Sequence, residues 1–561
     1  MKRNLLFLLF GIGCLSETTA QSVLRGPYLQ FPTSSSMKVM WRTDIATPSR
    51  VYYGTSLATV MDNQIEGVVP VTEHTVNITG LDPYTEYYYA VSDGSTVLAG
   101  GDMNHRFRTS PVIGTVQPVR AWVIGDFGKG NEKQMDVKEA FLDHVGDNMP
   151  DLWLWLGDNA YDEGTDEEFT QKVFGTQYGY GEVFPRVPFM ATPGNHDYGS
   201  VLNILTGADP TTHSGPYFDI VDVPTNGEIG GVPSGYELYY SFDYGNVHFV
   251  SLNSEIGAIV NGSWDWTGAS PFSNFSSSPF TDWLHADLQA NDKTWVVAYV
   301  HQPPHTDGSH ESDAFWEVYM KAMRENIAPI LESYGVDLLL AGHSHVYERS
   351  FLINGFYDLP AEFNVAQHVV DGSSGKLSDG TPYVKYFDGP NPNFGTMYIV
   401  QGNSGSNDSD ANLQHPAMYA GHGCDTCVGS TMLYAHGDTL MGYYLTKDGE
   451  ILDDWTIIKK NYPASVNENT FVSPISSLDV YPNPFTGETT LSFEVNENLW
   501  ANVELTDVSG RIIHVFHSGM LSPGQKKYLV NSNELGLTNG AYLLRVMSDR
   551  RPAVARLIKL E

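Results

Sequence analysis

Basic residues are scarce in this chain. Its 561 residues include 31 Lys and Arg against 66 Asp and Glu, which gives a formal net charge of −35 at pH 7. A protein this acidic repels polyanions at long range, so nucleic acid is a poor candidate for a partner. Any phosphate group that the chain binds must therefore be held by strong positive charge inside a local site.

Cysteine is also scarce, with three in the whole chain. Two of them, Cys424 and Cys427, lie in the segment GCDTC. A structural zinc site needs four ligands, and a thioredoxin-like redox motif needs a βαβ context that is not visible here. In an exported protein a disulfide between these two residues is favoured over a metal ion bound by both of them.

Long hydrophobic runs are missing. A membrane-spanning helix needs roughly 20 consecutive apolar residues, and no segment after the N-terminus reaches that length. Residues 1–20 instead show Lys2 and Arg3, a short apolar stretch and then small residues, which predicts a secretory signal peptide. A lipoprotein anchored through Cys14 is less favoured, because Gly11 stands where such signals carry a branched apolar residue. The chain is therefore expected to be exported.

The length and the changing pattern of the chain predict several domains. Residues 21–112 alternate apolar and polar in short runs separated by Pro, Gly and Ser, which is typical of an all-β sandwich. From 117 to 460 apolar runs alternate with helical patterns, which predicts an α/β domain built on a layered sheet. A polar linker at 461–477 leads to a small all-β unit at 478–561.

Five apolar runs in the α/β segment end in polar clusters. The clearest one, DLWLWLGDNAY at 151–161, closes on a carboxylate, an amide and a phenol directly after Gly157. Ligands in open α/β sheets gather just outside the carboxyl ends of the strands, so we expect the five clusters to meet. The clusters are GDFG at 125–128, GDNAY at 157–161, GNHD at 194–197, His301 after WVVAYV, and GHSH at 342–345.

Together the clusters supply oxygen and nitrogen ligands without thiolates. Three carboxylates, two amides, four histidines and a phenol suit iron, manganese or zinc. Two such ions about 3.5 Å apart can clamp a phosphoryl group and turn water into hydroxide near neutral pH. Metal ions would also provide the local positive charge that the acidic surface cannot, so the clusters indicate phosphate chemistry.

The order of these motifs resembles that of the calcineurin-like metallophosphoesterases, and the tyrosine of GDNAY is a feature of the purple acid phosphatases among them. The segment RGPYLQFPTSSSMKVMWRT is similar to the fibronectin type III-like module before the catalytic domain of the large members. YPNPF, the later GAYLLRV and a basic last strand resemble the C-terminal sorting domain of the type IX secretion system. The resemblance implies a four-layer α/β/β/α metallophosphoesterase domain between an N-terminal all-β sandwich and a C-terminal small all-β sandwich.

Carried over residue by residue, the resemblance implies a dinuclear metal centre. The implied ligands are Asp126, Tyr161 and His345 for Fe(III), Asn195, His301 and His343 for a divalent ion (Zn, Fe or Mn), and Asp158 as the bridge between the two.

Three further residues are implied to take part in catalysis. His196 would point toward the leaving-group oxygen and act as the general acid. Asp197 would either orient His196 or hold its loop, and His310, downstream of His301, would contact the substrate. His248 lies inside an apolar run and is expected to be structural.

These implications predict a secreted acid phosphatase that hydrolyses phosphate monoesters by attack of a metal-bound hydroxide, best at acid pH, where an imidazolium at His196 is populated. Its expected partners are a small phosphate ester and the type IX secretion machinery, which would take it through the periplasm to the cell surface or the medium. Two alternatives stay open: a phosphodiesterase or nucleotide hydrolase on the same scaffold, and a non-catalytic cell-surface binding protein. The second is less favoured because no metal position is substituted.

Overall fold

The structure is a computed structural model that describes residues 21–199, 213–255, 259–260, 263–264, 278–407, 413–424, 426–463, 475–496, 498–507, 511–548 and 553–560. The predicted signal peptide at 1–20 and most of the predicted linker at 461–477 lie outside these residues. No helix within the described ranges is long and apolar enough to cross a membrane.

The N-terminal segment folds as six antiparallel strands around one core. The strands are β1 (Val23–Gln30), β2 (Ser36–Gly54), β3 (Asn63–Thr79), β4 (Glu86–Ser92), β5 (Val97–Gly100) and β6 (Arg106–Arg108). Strand β2 pairs with β1 through its first half and with β4 through its second half, so the strands enclose Trp41 and Tyr89. The hydroxyl of Tyr87 accepts a hydrogen bond from the Asp82 backbone N–H at 3.0 Å and fixes the turn before β4. The predicted N-terminal β domain is confirmed.

Two seven-stranded sheets form the centre of the molecule. In chain order the central strands are β7 (Val119–Ile124), β8 (Leu152–Leu156), β9 (Phe189–Thr192), β10 (Tyr240–Tyr244), β11 (Val247–Ser251), β12 (Ile259–Val260), β13 (Ser263–Trp264), β14 (Trp295–Val300), β15 (Leu338–Ala341), β16 (Tyr347–Ser350), β17 (Leu352–Ile353), β18 (Val369–Asp371), β19 (Tyr383–Tyr386), β20 (Met397–Gln401), β21 (Met418–His422), β22 (Gly429–His436), β23 (Thr439–Thr446) and β24 (Ile451–Lys460). The first sheet has the order β19-β24-β23-β22-β7-β8-β9, and the second has the order β10-β11-β14-β15-β20-β16-β21.

Helices cover the outer faces of both sheets. The helices are α1 (Glu132–Val145), α2 (Asp166–Glu168), α3 (Pro216–Ile220), α4 (Pro279–Ala290), α5 (Val318–Ala322), α6 (Ala328–Ser333) and α7 (Val365–His368), with π-helical turns at Phe169–Val173 and Met323–Ile327 and 3₁₀ turns at Asn195–Tyr198 and Pro360–Glu362. On the first sheet, Phe141 of α1 stacks on Trp122 of β7 with 3.8 Å between ring centroids.

Strand β14 shows how the layers are built, because successive side chains of a strand point to opposite faces. Trp295, Val297 and Tyr299 join the core between the two sheets. Val296, Ala298 and Val300 join a second core that includes Trp283 and Leu284 of α4. The four-layer α/β/β/α arrangement predicted for this domain is confirmed.

The C-terminal segment is a small β unit with its own core. Its strands are β25 (Ile475–Tyr481), β26 (Glu488–Val495), β27 (Leu499–Asp507), β28 (Ile512–Leu521), β29 (Gly524–Asn531), β30 (Gly540–Ser548) and β31 (Ala553–Lys559). They form one sheet of order β25-β26-β29 and another of order β28-β27-β30-β31. Phe485, Leu491, Val503 and Leu544 are buried together between them.

Cys424 and Cys427 form the disulfide predicted from the sequence, with their Cα atoms 4.9 Å apart.

His248, predicted to be structural, lies buried on β11 between two carboxylates. Its Nδ1 is 2.8 Å from Asp243 Oδ1, and its Nε2 is 2.9 Å from Asp287 Oδ2. Burial alone would lower the pKa of His248, but the two carboxylates raise it to about 9.

This buried cluster predicts a pH-dependent contribution to stability. Because the pKa of His248 in the folded protein is above its usual 6.5, the charged ring stabilises the fold below about pH 6.5, and this stabilisation is lost as the pH rises through about 9. The difference in the free energy of unfolding between the wild type and His248→Gln should therefore shrink, by up to about 3 kcal/mol, between these pH values. Urea unfolding of both proteins across this range measures it.

His285→Gln is the matched control, since His285 lies on the exposed face of α4. Its unfolding should track that of the wild type at every pH. A gap between wild type and His248→Gln that stays constant from pH 6.5 to 9 would contradict the charged-ring interpretation.

Candidate metal centre

The five polar clusters lie at the carboxyl ends of five strands. Strands β7, β8 and β9 run parallel in one sheet, and β14 and β15 run parallel in the other. Their ends are followed by Asp126, Asp158, Asn195, His301 and His343, respectively. Because the carboxyl ends of parallel strands share an edge, two sheets packed face to face bring these side chains to one place.

The backbone turns sharply where several of these residues lie. Asp126, Asp158 and His343 have φ values of 55°, 51° and 66°, in the left-handed region that non-glycine residues rarely adopt. Such conformations cost of order 1–3 kcal/mol each and concentrate at functional sites. The adjacent Gly157 and Gly194 permit close approach, because a Cβ atom would lie 2.4 Å from His301 Nδ1 at the first position and 2.2 Å from the Asp158 backbone nitrogen at the second.

One group of side chains contains Asp126, Tyr161 and His345. The Tyr161 hydroxyl is 2.8 Å from Asp126 Oδ1 and 3.3 Å from His345 Nε2. His345 Nε2 is 3.5 Å from the same carboxylate oxygen. Burial, together with the charges of Asp126 and Asp158, raises the pKa of the Tyr161 phenol well above 10. A phenolate at this position therefore requires a strongly charged cation to replace the proton.

A second group contains Asn195, His301 and His343. His301 Nε2 is 3.1 Å from Asn195 Oδ1 and 3.2 Å from His343 Nδ1. His301 Nδ1 lies 2.9 Å from the Leu156 carbonyl oxygen, to which it donates its proton. This hydrogen bond directs Nε2 into the centre as the nitrogen available to a metal ion.

Asp158 contacts the second group, and its charge also acts on Tyr161 of the first group. Its Oδ1 is 3.2 Å from His301 Nε2 and accepts a hydrogen bond from the His196 backbone N–H at 2.8 Å. Burial alone would raise the pKa of Asp158, but the imidazoles of His301 and His196 hold it well below its usual range. Burial would likewise lower the pKa of His301, which Asp158 and Asp126 raise to about 10. A metal ion at His301 Nε2 would have to displace a proton, so its affinity should rise with pH.

The donor set fits two transition-metal ions. Ligand atoms of Asp158, His301 and His343 all lie within 4.8 Å of one another, close enough to share one ion. Asp126, Tyr161 and His345 offer two oxygens and a nitrogen as a second set of donors. Oxygen and imidazole ligands of this kind suit iron, zinc and manganese. The structure thus brings together all seven residues predicted as ligands.

Comparison with known families agrees with this geometry. The model of the calcineurin-like phosphoesterases matches residues 119–347, and that of the purple acid phosphatase N-terminal domain matches residues 25–111. The chain is thus similar to the purple acid phosphatases in its N-terminal and central segments. A third model, that of the secretion system C-terminal sorting domain, matches residues 479–560.

Individual relatives are named as acid phosphatases. Purple acid phosphatase 15 of Arabidopsis thaliana is 30% identical over 346 residues, which cover 57% of this chain and 58% of the relative. Acid phosphatase type 7 of Homo sapiens is 24% identical, with 68% of this chain and 85% of the relative covered. The chain spans 58% and 64% of the length of purple acid phosphatases 15 and 23 of Arabidopsis thaliana.

A solved structure shows the shared fold. The purple acid phosphatase from yellow lupin (Lupinus luteus) seeds superposes with a TM-score of 0.56 at 18% identity, covering 79% of this chain and 77% of that chain. At this identity the match supports the fold of the purple acid phosphatase family and not the details of the site.

His196 borders the centre of this purple acid phosphatase fold. Its Nδ1 donates to the Asp162 carbonyl oxygen at 2.6 Å, and its ring packs against the Tyr161 ring with 4.6 Å between centroids. Its Nε2 lies 3.9 Å from Asp158 Oδ2, on the side of the donor groups. The hydrogen bond at Nδ1 leaves Nε2 as the nitrogen that faces the donor groups.

Asp197 has a different set of contacts. Its carboxylate accepts hydrogen bonds from the backbone N–H groups of Gly194 and Asn159, at 2.8 and 3.1 Å. Burial and the charge of Asp158 raise the pKa of Asp197 to about 8. These contacts fit the second of the two roles predicted for Asp197, which is to hold the loop.

His310 approaches the centre from another loop. Its ring lies 4.1 Å from that of His343 and 6.0 Å from that of His345, measured between centroids. The earlier histidine of that loop, His305, is fully buried against Phe356 and Tyr398.

Two residues near the centre are not among the predicted site residues. Asn159 is buried, and its side-chain amide donates to Asp197 Oδ2 at 2.8 Å and to the Thr192 carbonyl at 3.0 Å. Glu317 lies against His310 and His343. Asn159 lies in the GDNAY cluster without being a predicted ligand, and Glu317 lies in none of the five clusters, so only the folded chain reveals these contacts.

The position of Tyr161 predicts a coloured protein. A phenolate bound to Fe(III) gives a charge-transfer band in the visible range, and Tyr161→Phe should abolish this band because it removes the oxygen next to Asp126. Absorption spectra of the iron-loaded wild type and variant, with iron content measured in parallel, provide the test.

Tyr180→Phe is the control, since Tyr180 is a buried phenol packed against Trp153. It should leave the spectrum unchanged. An iron-loaded wild type without a visible band would rule out Tyr161 as an iron ligand.

Proposed function

We propose that the protein is an exported acid phosphatase that hydrolyses phosphate monoesters at a dinuclear metal centre. The observation that carries this proposal is the closeness of the two donor groups, which the hydrogen bond from the His343 backbone N–H to Asp126 Oδ2 joins. Asp158 and His196 Nε2 lie beside His301. Asp126, Tyr161 and His345 would hold Fe(III), Asn195, His301 and His343 would hold a divalent Zn, Fe or Mn ion, and Asp158 would bridge them. When bound, the two ions supply positive charge to the phosphoryl oxygens and acidify a water molecule for attack.

His196 would protonate the leaving group. Its Nδ1–H is fixed by the Asp162 carbonyl oxygen, so an added proton resides at Nε2 and faces the centre. Donation of that proton to the departing alkoxide is ordinary general acid catalysis, worth about 10²- to 10⁴-fold. Asp197 supports this by holding the loop that carries His196, and His310 would contact the phosphate from the opposite loop.

A cavity of about 640 Å³ beside His345 offers room for a small phosphate ester. Its wall includes Lys129, Lys133 and the N-terminus of α1, along with Glu132. The Lys129 ammonium lies 3.3 Å from the centroid of the Tyr161 ring and 3.4 Å from Asp162 Oδ1. These groups supply local positive charge in a chain whose net charge is −35.

The terminal segments fit an exported enzyme. The sorting-domain match at 479–560 supports passage through the type IX secretion machinery, by way of the periplasm, to the cell surface or the medium. The disulfide between Cys424 and Cys427 suits an oxidising compartment.

We also propose the boundaries 21–112, 117–460 and 478–561 for the three domains, with 1–20 as the signal peptide and 461–477 as the linker.

The general acid role gives a prediction that depends on the leaving group. His196→Ala should lower kcat for alkyl phosphates by about 10²-fold or more, because an alkoxide cannot depart unprotonated. For nitrophenyl phosphate, whose leaving group is stable as an anion, the loss should stay under about tenfold. Steady-state kinetics with both esters measure the difference.

His285→Ala, at an exposed histidine, is the control and should match the wild type. Equal losses for the two esters would contradict the acid role of His196. A wild type that turns over bis-esters faster than monoesters would instead favour the phosphodiesterase alternative.

A further inference from the structure

Glu317 is a buried carboxylate between two histidines of the centre. It is 9% exposed and immediately precedes α5. Its Oε1 lies 2.7 Å from His310 Nδ1, and its Oε2 lies 3.6 Å from His343 Nε2. One carboxylate therefore faces both a proposed metal ligand and a proposed substrate contact.

The orientation of His343 makes this contact significant. His343 Nδ1 points into the centre, 3.2 Å from His301 Nε2. A neutral imidazole that offers Nδ1 to a metal ion must carry its proton on Nε2. That nitrogen is buried and makes no hydrogen bond to any described residue, and the Glu317 oxygen is 3.6 Å away. A small movement of Glu317 would complete the hydrogen bond that fixes this tautomer.

The second contact fixes His310. This side chain is 39% exposed, so it would turn freely without a partner. Donation from its Nδ1–H to Glu317 Oε1 at 2.7 Å holds the ring 4.1 Å from that of His343 and leaves Nε2 available to a ligand. The geometry of the loop from 308 to 317 is in this way tied to the metal ligand.

We propose that Glu317 is a positioning residue that sets His343 for metal binding and His310 for phosphate binding. Carboxylates that hydrogen-bond the second nitrogen of a metal-bound histidine fix its ring and increase its basicity, and their loss typically costs 10- to 100-fold in metal affinity. The part that concerns His310 rests on the proposed function. The part that concerns His343 does not, because metal retention is measured without any substrate.

A third cation held by His310, Glu317 and His343 is the competing interpretation, since their ligand atoms also lie within 4.8 Å of one another. It would require His343 to give Nδ1 to one ion and Nε2 to another, and so to lose its only N–H proton. The 2.7 Å contact between His310 and Glu317 already satisfies both groups as a hydrogen bond. The positioning role needs no such deprotonation.

The test compares Glu317→Gln with the wild type and with Glu325→Gln, a neighbouring glutamate whose side chain is 40% exposed. Each full-length protein is loaded with iron and zinc, dialysed against graded chelator and analysed for both metals, with circular dichroism to verify folding. Glu317→Gln should release one of its two ions at a 10- to 100-fold lower chelator concentration, and Glu325→Gln should match the wild type.

The kinetics of Glu317→Gln and the conservative variant Glu317→Asp distinguish the positioning of His343 and His310 from a general effect of Glu317 on the structure. Excess divalent metal should restore kcat of Glu317→Gln for a monoester but leave KM raised, because His310 stays unanchored. Glu317→Asp restores the negative charge and should recover part of the lost metal affinity. If the glutamine variant does not fold, the aspartate variant provides the same comparison with the wild type.

Three outcomes would overturn the proposal: wild-type retention of both ions by Glu317→Gln, equal metal loss in the glutamine and aspartate variants, or a third ion in the wild type that Glu317→Gln lacks. The proposed function fails separately. A wild type that holds two ions and hydrolyses no phosphate ester would refute the phosphatase, while selective loss of one ion in Glu317→Gln would still establish that Glu317 positions His343.

Discussion

The buried carboxylate of Asp158 is the group around which the centre is arranged. Its backbone adopts the left-handed conformation, and Gly157 and Gly194 leave the space in which His301 and the neighbouring loop approach it. Burial opposes its negative charge, and the imidazoles of His301 and His196 hold its pKa low. A buried anion is stable only with compensating positive charge close by. Histidines alone supply this by taking up protons, whereas bound metal ions would supply it permanently.

The surrounding fold keeps the loops of the centre in place. The loop after Tyr161 is closed by Glu168, whose carboxylate accepts hydrogen bonds from three backbone N–H groups of residues 162–165. Asp166, two residues earlier, binds Arg25 and Arg42 of the N-terminal β domain. The N-terminal domain thus helps to hold the segment that follows Tyr161. In this way the domain contributes to the structure of the metal centre.

The sequence predicts the donor set well because the donors follow strands. Asp126, Asp158 and His301 each come directly after an apolar run, and the edge shared by parallel strands brings such positions together. The contacts of Asn159 and Glu317 cannot be predicted from this rule. Asn159 turns inward to bond Asp197, and Glu317 reaches His343 only through the folding of the loop beyond His301. Contacts between loops depend on the packing of the whole domain, which local patterns do not encode.

Metal analysis of the purified full-length chain tests most directly whether the protein holds a dinuclear metal centre. A dinuclear centre should hold two transition-metal ions per chain after loading with iron and zinc, one of them iron, and retain both through gel filtration. A folded protein that retains no ion after being offered iron, zinc and manganese would contradict the dinuclear centre and favour a non-catalytic binding protein.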